Sequence, residues 1–82
     1  MDSNDWRAVH VGFGNDGLAI DGAEIWKTKW RPTREPVLQL PHPAYPDQHH
    51  YFDVYVVDGP HGSVRFAAGE LSNGVWGFYV PA

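Results

Sequence analysis

The chain has 82 residues, no cysteine and a formal net charge of −4. That length holds one domain, residues 1–82, with a small core. The composition excludes a disulfide-stapled scaffold and a cysteine-based zinc module, and no run approaches the ~18–20 apolar residues of a membrane span. The opening Met1-Asp2-Ser3-Asn4-Asp5 is acidic and polar, unlike a signal peptide, so a cytoplasmic setting is expected.

The apolar residues are of strand type. Valine outnumbers leucine by nine to four, and nine glycines and seven prolines cut the chain into short pieces. Little or no helix is expected; a short turn before Trp6, capped by Ser3, is the exception the sequence allows. Residues 6–13 alternate in part, with Val9, Val11 and Phe13 on one face. Gly14-Asn15-Asp16-Gly17 reads as a turn and Leu18-Ala19-Ile20 as a short strand. Asp21-Gly22 is a two-residue hairpin signal, because both residues tolerate the positive φ of a type I′ turn.

Residues 23–31 read as one strand. Glu24, Trp26, Thr28 and Trp30 point one way, and Lys27, Lys29 and Arg31 the other, so the tryptophans are expected inward and the cations in water. Pro32 and Pro36 are expected to end it, and Val37–Leu40 form a short extended piece. Residues 41–50, PHPAYPDQHH, read as a stiff, extended proline-rich loop, long for a compact domain and therefore a candidate for function.

The last third reads as a three-stranded meander. Phe52, Val54 and Val56 share a face of its first strand; Val64, Phe66 and Ala68 form the core face of the second; Trp76, Phe78 and Val80 alternate along the third. Asp58–Gly62 and Ser72-Asn73-Gly74 are the turns, and Gly69 is a candidate bulge. The expected fold is all-β: a small single-domain antiparallel roll or barrel of about five to seven short strands.

Catalytic signatures are missing from this pattern. None of the three serines sits in a G-x-S-x-G elbow. Gly12-Phe13-Gly14-Asn15-Asp16-Gly17 spells G-x-G-x-x-G, but a dinucleotide site needs a helix and a βαβ unit after it, and a hairpin follows here. The five histidines, His10, His42, His49, His50 and His61, match no zinc spacing, and no cofactor is expected. A metal-binding protein or small enzyme built on converging histidines is one alternative reading. Lys27, Lys29, Arg31 and Arg34 place +4 within eight positions while the rest of the chain carries −8, which makes a nucleic-acid binder the other. Against it, the tryptophans alternate away from those cations, and cations on an edge strand also serve against aggregation.

The leading expectation is a non-catalytic binding protein with a protein partner, or one that associates with itself as a homodimer, without nucleic acid or membrane. Its contact residues are expected in and beside the proline-rich loop: His42, Tyr45, His49, His50, Tyr51 and Tyr55. Exposed tyrosines are frequent contact anchors, and a stiff loop presents them at low ordering cost.

Overall fold

Antiparallel strands account for nearly all of the regular structure. The computed structural model describes residues 5–13, 18–25 and 29–82. Eight strands occur among them: β1 (Trp6–Phe13), β2 (Ala19–Ile20), β3 (Ala23–Glu24), β4 (Arg31–Pro32), β5 (Leu38–Pro41), β6 (His49–Gly59), β7 (Gly62–Ser72) and β8 (Val75–Pro81). The main sheet runs β1-β8-β7-β6-β4, β5 joins β6, and β2 pairs with β3 as a separate hairpin. The described residues contain no α-helix. The turn proposed at Ser3, the Gly14–Gly17 turn and the side chains of Trp26 and Lys27 lie outside the described residues.

The C-terminal meander is present as β6-β7-β8. Its first turn is tight: Gly59 faces Gly62, with Pro60 and His61 between them. Ser72 faces Val75 across the second turn, where Gly74 takes φ +77° and its N–H donates to Glu70 Oε2 at 3.1 Å. The register shift lies between Glu70 and Ser72. Gly69, expected as a bulge, instead sits in regular register opposite Gly77. The Asp21-Gly22 turn joins β2 to β3 with φ of +54° and +79°, the conformation the hairpin signal requires.

The central sheet is buried on both faces, which the sequence pattern does not show. Val54, Ala67 and Tyr79 lie in one row across β6, β7 and β8. With Trp6, Phe52, Leu38 and Leu40 they make one apolar layer. Phe66, Ala68, Phe78, Val80 and Val57 face the opposite way and pack with Ala23 and Ile25, flanked by Leu18, Ile20 and Trp30. Phe52 and Val54 therefore belong to a different layer from Phe66 and Phe78. A strand buried on both sides loses the in-out alternation that a one-sided core would impose.

Each layer is closed by a different piece of chain. The β2–β3 hairpin and Trp30 cover one face. The Trp30 ring stands 5.2 Å from Phe66, 5.6 Å from Phe78 and 6.0 Å from Trp76, each edge-on. Its indole nitrogen is buried among these rings with no hydrogen-bond partner. Residues 23–31 are consequently not one strand: β3 and β4 are separate two-residue pieces.

The other face is covered by β5. Strands β4 and β5 lie in turn along the same edge of β6. Arg31 and Pro32 face Val56 and Tyr55, and Leu38–Pro41 face Phe52–His49. Three more residues are spent on the β4–β5 side than on β6 between these pairings, so Thr33–Val37 arch out. Pro32, expected to stop a strand, sits in this edge position, where a missing N–H is tolerated. Thr33 anchors the arch, its N–H and hydroxyl both donating to the Val54 carbonyl at 3.1 and 2.9 Å. Arg65 on β7 reaches Glu35 in the arch through a bidentate pair and lies over the Trp6 ring, 4.9 Å from its centroid.

The N-terminal strand departs from simple alternation. A register shift between Ala8 and His10 bulges Val9. Beyond it His10 faces Phe78 and Val11 faces Gly77. Val9 packs on the Phe66–Phe78 layer while Val11 is exposed, so the two do not share a face as expected.

Candidate functional site

The segment expected as an extended loop is a closed hairpin. Pro41 faces His49 and Leu40 faces His50, so both ends of residues 41–50 belong to strands β5 and β6. The tip, residues 42–48, is folded on itself: the His42 N–H donates to the Gln48 carbonyl at 2.7 Å, and the Gln48 N–H to the Tyr45 carbonyl at 2.9 Å. The prolines are compatible with this because Pro41 occupies an edge strand and Pro43 and Pro46 occupy the turn.

The hairpin stands on the sheet by one face. Leu38, Leu40 and Phe52 are buried there, and the Tyr79 hydroxyl of β8 donates to the Pro41 carbonyl at 2.5 Å. Burial of that phenol raises the Tyr79 pKa. The alternating residues Gln39, His49 and Tyr51 point to the other side and are exposed, Tyr51 at 71%. Tyr45 at the tip is 59% exposed and Val37 at the base 55%.

The six expected contact residues fall into three groups. His42, Tyr45 and His50 form a ring cluster at the tip, with the His42 ring 5.0 Å from Tyr45 and 5.5 Å from His50. His42 Nδ1 accepts the backbone N–H groups of Ala44 and Tyr45 at 3.0 and 3.2 Å. His50 is half-buried and its Nε2 is buried without a partner. His49 and Tyr51 lie on the outer face of the hairpin. Tyr55 is remote from both groups: its ring packs 5.2 Å from Trp30 and 5.9 Å from Phe66, and burial raises its pKa. Val37 and Gln39 complete the outer face and were not among the expected residues. Their signal was the alternation with Leu38 and Leu40, which places them outward once those leucines are buried.

Within the basic segment, Arg31 is tied to an acid. Arg31 forms a bidentate pair with Asp58 at 3.0 and 3.1 Å. The guanidinium holds the Asp58 carboxyl below its ordinary range, and Arg65 does the same to Glu35. Lys29 and Arg31 border an open hollow of about 480 Å3 over Trp30, Val57 and Asp58, so its rim carries both signs of charge. A second hollow, of about 360 Å3 beside Arg7, Asp21 and Val64, is mixed in the same way. No group of three or more His, Asp or Glu side chains within reach of one metal ion occurs among the described residues.

The chain matches no protein-family model, no curated protein and no solved structure. No helix among the described residues is long and apolar enough to cross a membrane.

Proposed function

We propose that this protein is a non-catalytic interaction module that binds a protein partner through the outer face and tip of the β5–β6 hairpin. One observation carries the reading. Of the large hydrophobic side chains exposed among the described residues, Val37, Tyr45 and Tyr51 all belong to this hairpin or its base, and only Val11 lies elsewhere. The fold supports the surface mechanically. The inner face of the hairpin is fixed by Leu38, Leu40, Phe52 and the Tyr79–Pro41 hydrogen bond, so the outer tyrosines are presented with little left to order on binding. His49 and Gln39 supply hydrogen-bonding groups between the aromatic anchors. A cytoplasmic setting accords with the cysteine-free composition.

The test replaces Tyr51 with a photo-crosslinking phenylalanine analogue and compares the adducts with those formed from position 61, in the exposed turn at the opposite end of β6. A discrete protein adduct from position 51 alone supports the reading, and Tyr45→Ala is expected to suppress it without lowering the melting temperature. Adduct with a second copy of this chain makes the surface a homodimer interface. Equal adducts from both positions, or none, overturn the proposal.

A further inference from the structure

The hairpin tip contains a hydrogen-bond arrangement that one proton abolishes. His42 Nδ1 accepts two backbone N–H groups, those of Ala44 and Tyr45. It is therefore a bare lone pair, and the neutral imidazole carries its proton on Nε2. An imidazolium donates at both nitrogens and accepts at neither. The protonated ring and these two hydrogen bonds are mutually exclusive. The other two bonds of the tip, His42 N–H to Gln48 and Gln48 N–H to Tyr45, join backbone groups and do not titrate.

Other ionisable groups surround His42. His50 of β6 faces it at 5.5 Å, so protonating both rings places two cations side by side where one nitrogen, His50 Nε2, is already buried without a partner. Asp47 lies within the same tip, His49 faces Pro41 across the hairpin, and Tyr79 approaches from β8 through the Pro41 carbonyl. Tyr45, whose ring packs on His42 and whose N–H loses its acceptor, is the residue released.

We propose that the tip is an acid-released latch: neutral His42 holds Tyr45 in place for the partner, and protonation of His42 frees the Ala44–Tyr45 backbone and withdraws that part of the surface. This regulation rests on the reading of the hairpin as an interaction surface.

The experiment follows the Ala44 and Tyr45 amide resonances and their hydrogen-exchange protection in the full chain from about pH 7.5 to about pH 5, where imidazoles take up protons. The comparison is His42→Asn, whose side-chain oxygen can accept the same N–H groups in an Asx turn and does not titrate. In the wild type both amides are expected to shift with the midpoint of the His42 ring protons and to lose protection several-fold. In His42→Asn they are expected to stay level. His50→Gln, a second variant, keeps the transition if His42 is the origin. Level wild-type amides, or a transition that survives in His42→Asn or disappears in His50→Gln, overturn the latch. The readout needs no partner, so a level titration beside an intact position-51 adduct removes the latch and leaves the surface standing. A titrating tip with no adduct removes the surface and, with it, the regulatory proposal.

Discussion

The Phe52 ring packs against Gly69. A Cβ added to Gly69 would collide with the backbone carbonyl oxygen of Tyr51 and stand 3.0 Å from Cδ2 of that ring, and Gly77, which faces Gly69 across β7 and β8, extends the bare patch beneath it. This is where β6 leaves β7: the β6–β7 pairing begins at Asp53–Ala68, and the residues before it pair with β5 instead. Two side-chain-free positions let the start of β6 pass over the sheet and carry the β5–β6 hairpin onto its face. Gly69→Ala is expected to cost about 1–3 kcal/mol by overpacking. For a domain of this size each kcal/mol lowers the melting temperature by about 4–8 °C. Gly77→Ala meets the flexible end of Leu71 at 3.1 Å and is expected to be milder. Thermal unfolding of the two variants side by side checks the ranking.

The Tyr79 hydroxyl ties the same hairpin to β8 through the Pro41 carbonyl. Its ring is also packed edge-on against Phe52 at 5.2 Å, so Tyr79→Phe removes the hydrogen bond and leaves the ring. The expected loss is about 1 kcal/mol, the usual net value of one such bond. Amide exchange is expected to quicken in residues 39–50 more than in the β7–β8 turn. Uniform quickening would assign the hydroxyl to global stability and remove its part in holding the hairpin.

Trp30 and Tyr51 separate packing from presentation. Trp30 joins a cluster with Tyr55, Phe66, Trp76 and Phe78, so Trp30→Ala is expected to cost about 3–5 kcal/mol through the cavity it leaves. Tyr51 is largely exposed, and Tyr51→Ala is expected to change stability by no more than about 0.5 kcal/mol. Urea denaturation of both variants tests this. A comparable loss in Tyr51→Ala would place that residue in the structural framework of the hairpin.

The two exposed ion pairs give the fold an acid limb. Arg31 and Arg65 hold the Asp58 and Glu35 carboxyls below their ordinary range through hydrogen bonds. A carboxyl lowered by folding contributes stability above its unfolded pKa and loses it as pH falls through the folded one. The contribution is expected to be present at neutral pH and to fade below about pH 4. Asp58→Asn and Glu35→Gln are expected to flatten that limb, with small effects at neutral pH that shrink further in salt, as exposed pairs do. Melting temperature against pH at low and high salt measures it.

Much of this architecture was legible because it is local. Asp21-Gly22 announced its turn through backbone tolerance of positive φ, and the valine-rich, helix-breaking composition announced strands. The tip residues His42, Tyr45 and His50 were picked out by their place among prolines. Tyr55 was not separable from them by sequence, since a tyrosine three positions after Phe52 carries no mark of the tryptophan it will pack against. Gly69 is ambiguous for a similar reason: a glycine within a strand signals a bulge or a close approach equally well, and only the strand crossing above it distinguishes the two.

The sequence by itself determined the strand class, the hairpin turns and the concentration of aromatic and imidazole groups between residues 41 and 55, because each follows from backbone preference or side-chain chemistry over a few neighbouring positions. The tertiary structure decided which side of each strand met which layer. It buried the central sheet on both faces, divided residues 31–41 into two pieces along one edge of β6, and turned the proline-rich segment into a closed tip. Those outcomes depend on pairings that range from eight positions apart, Pro41 with His49, to seventy-five, Trp6 with Pro81, and the free energy of such pairings comes from surfaces that neither partner displays in its own local sequence.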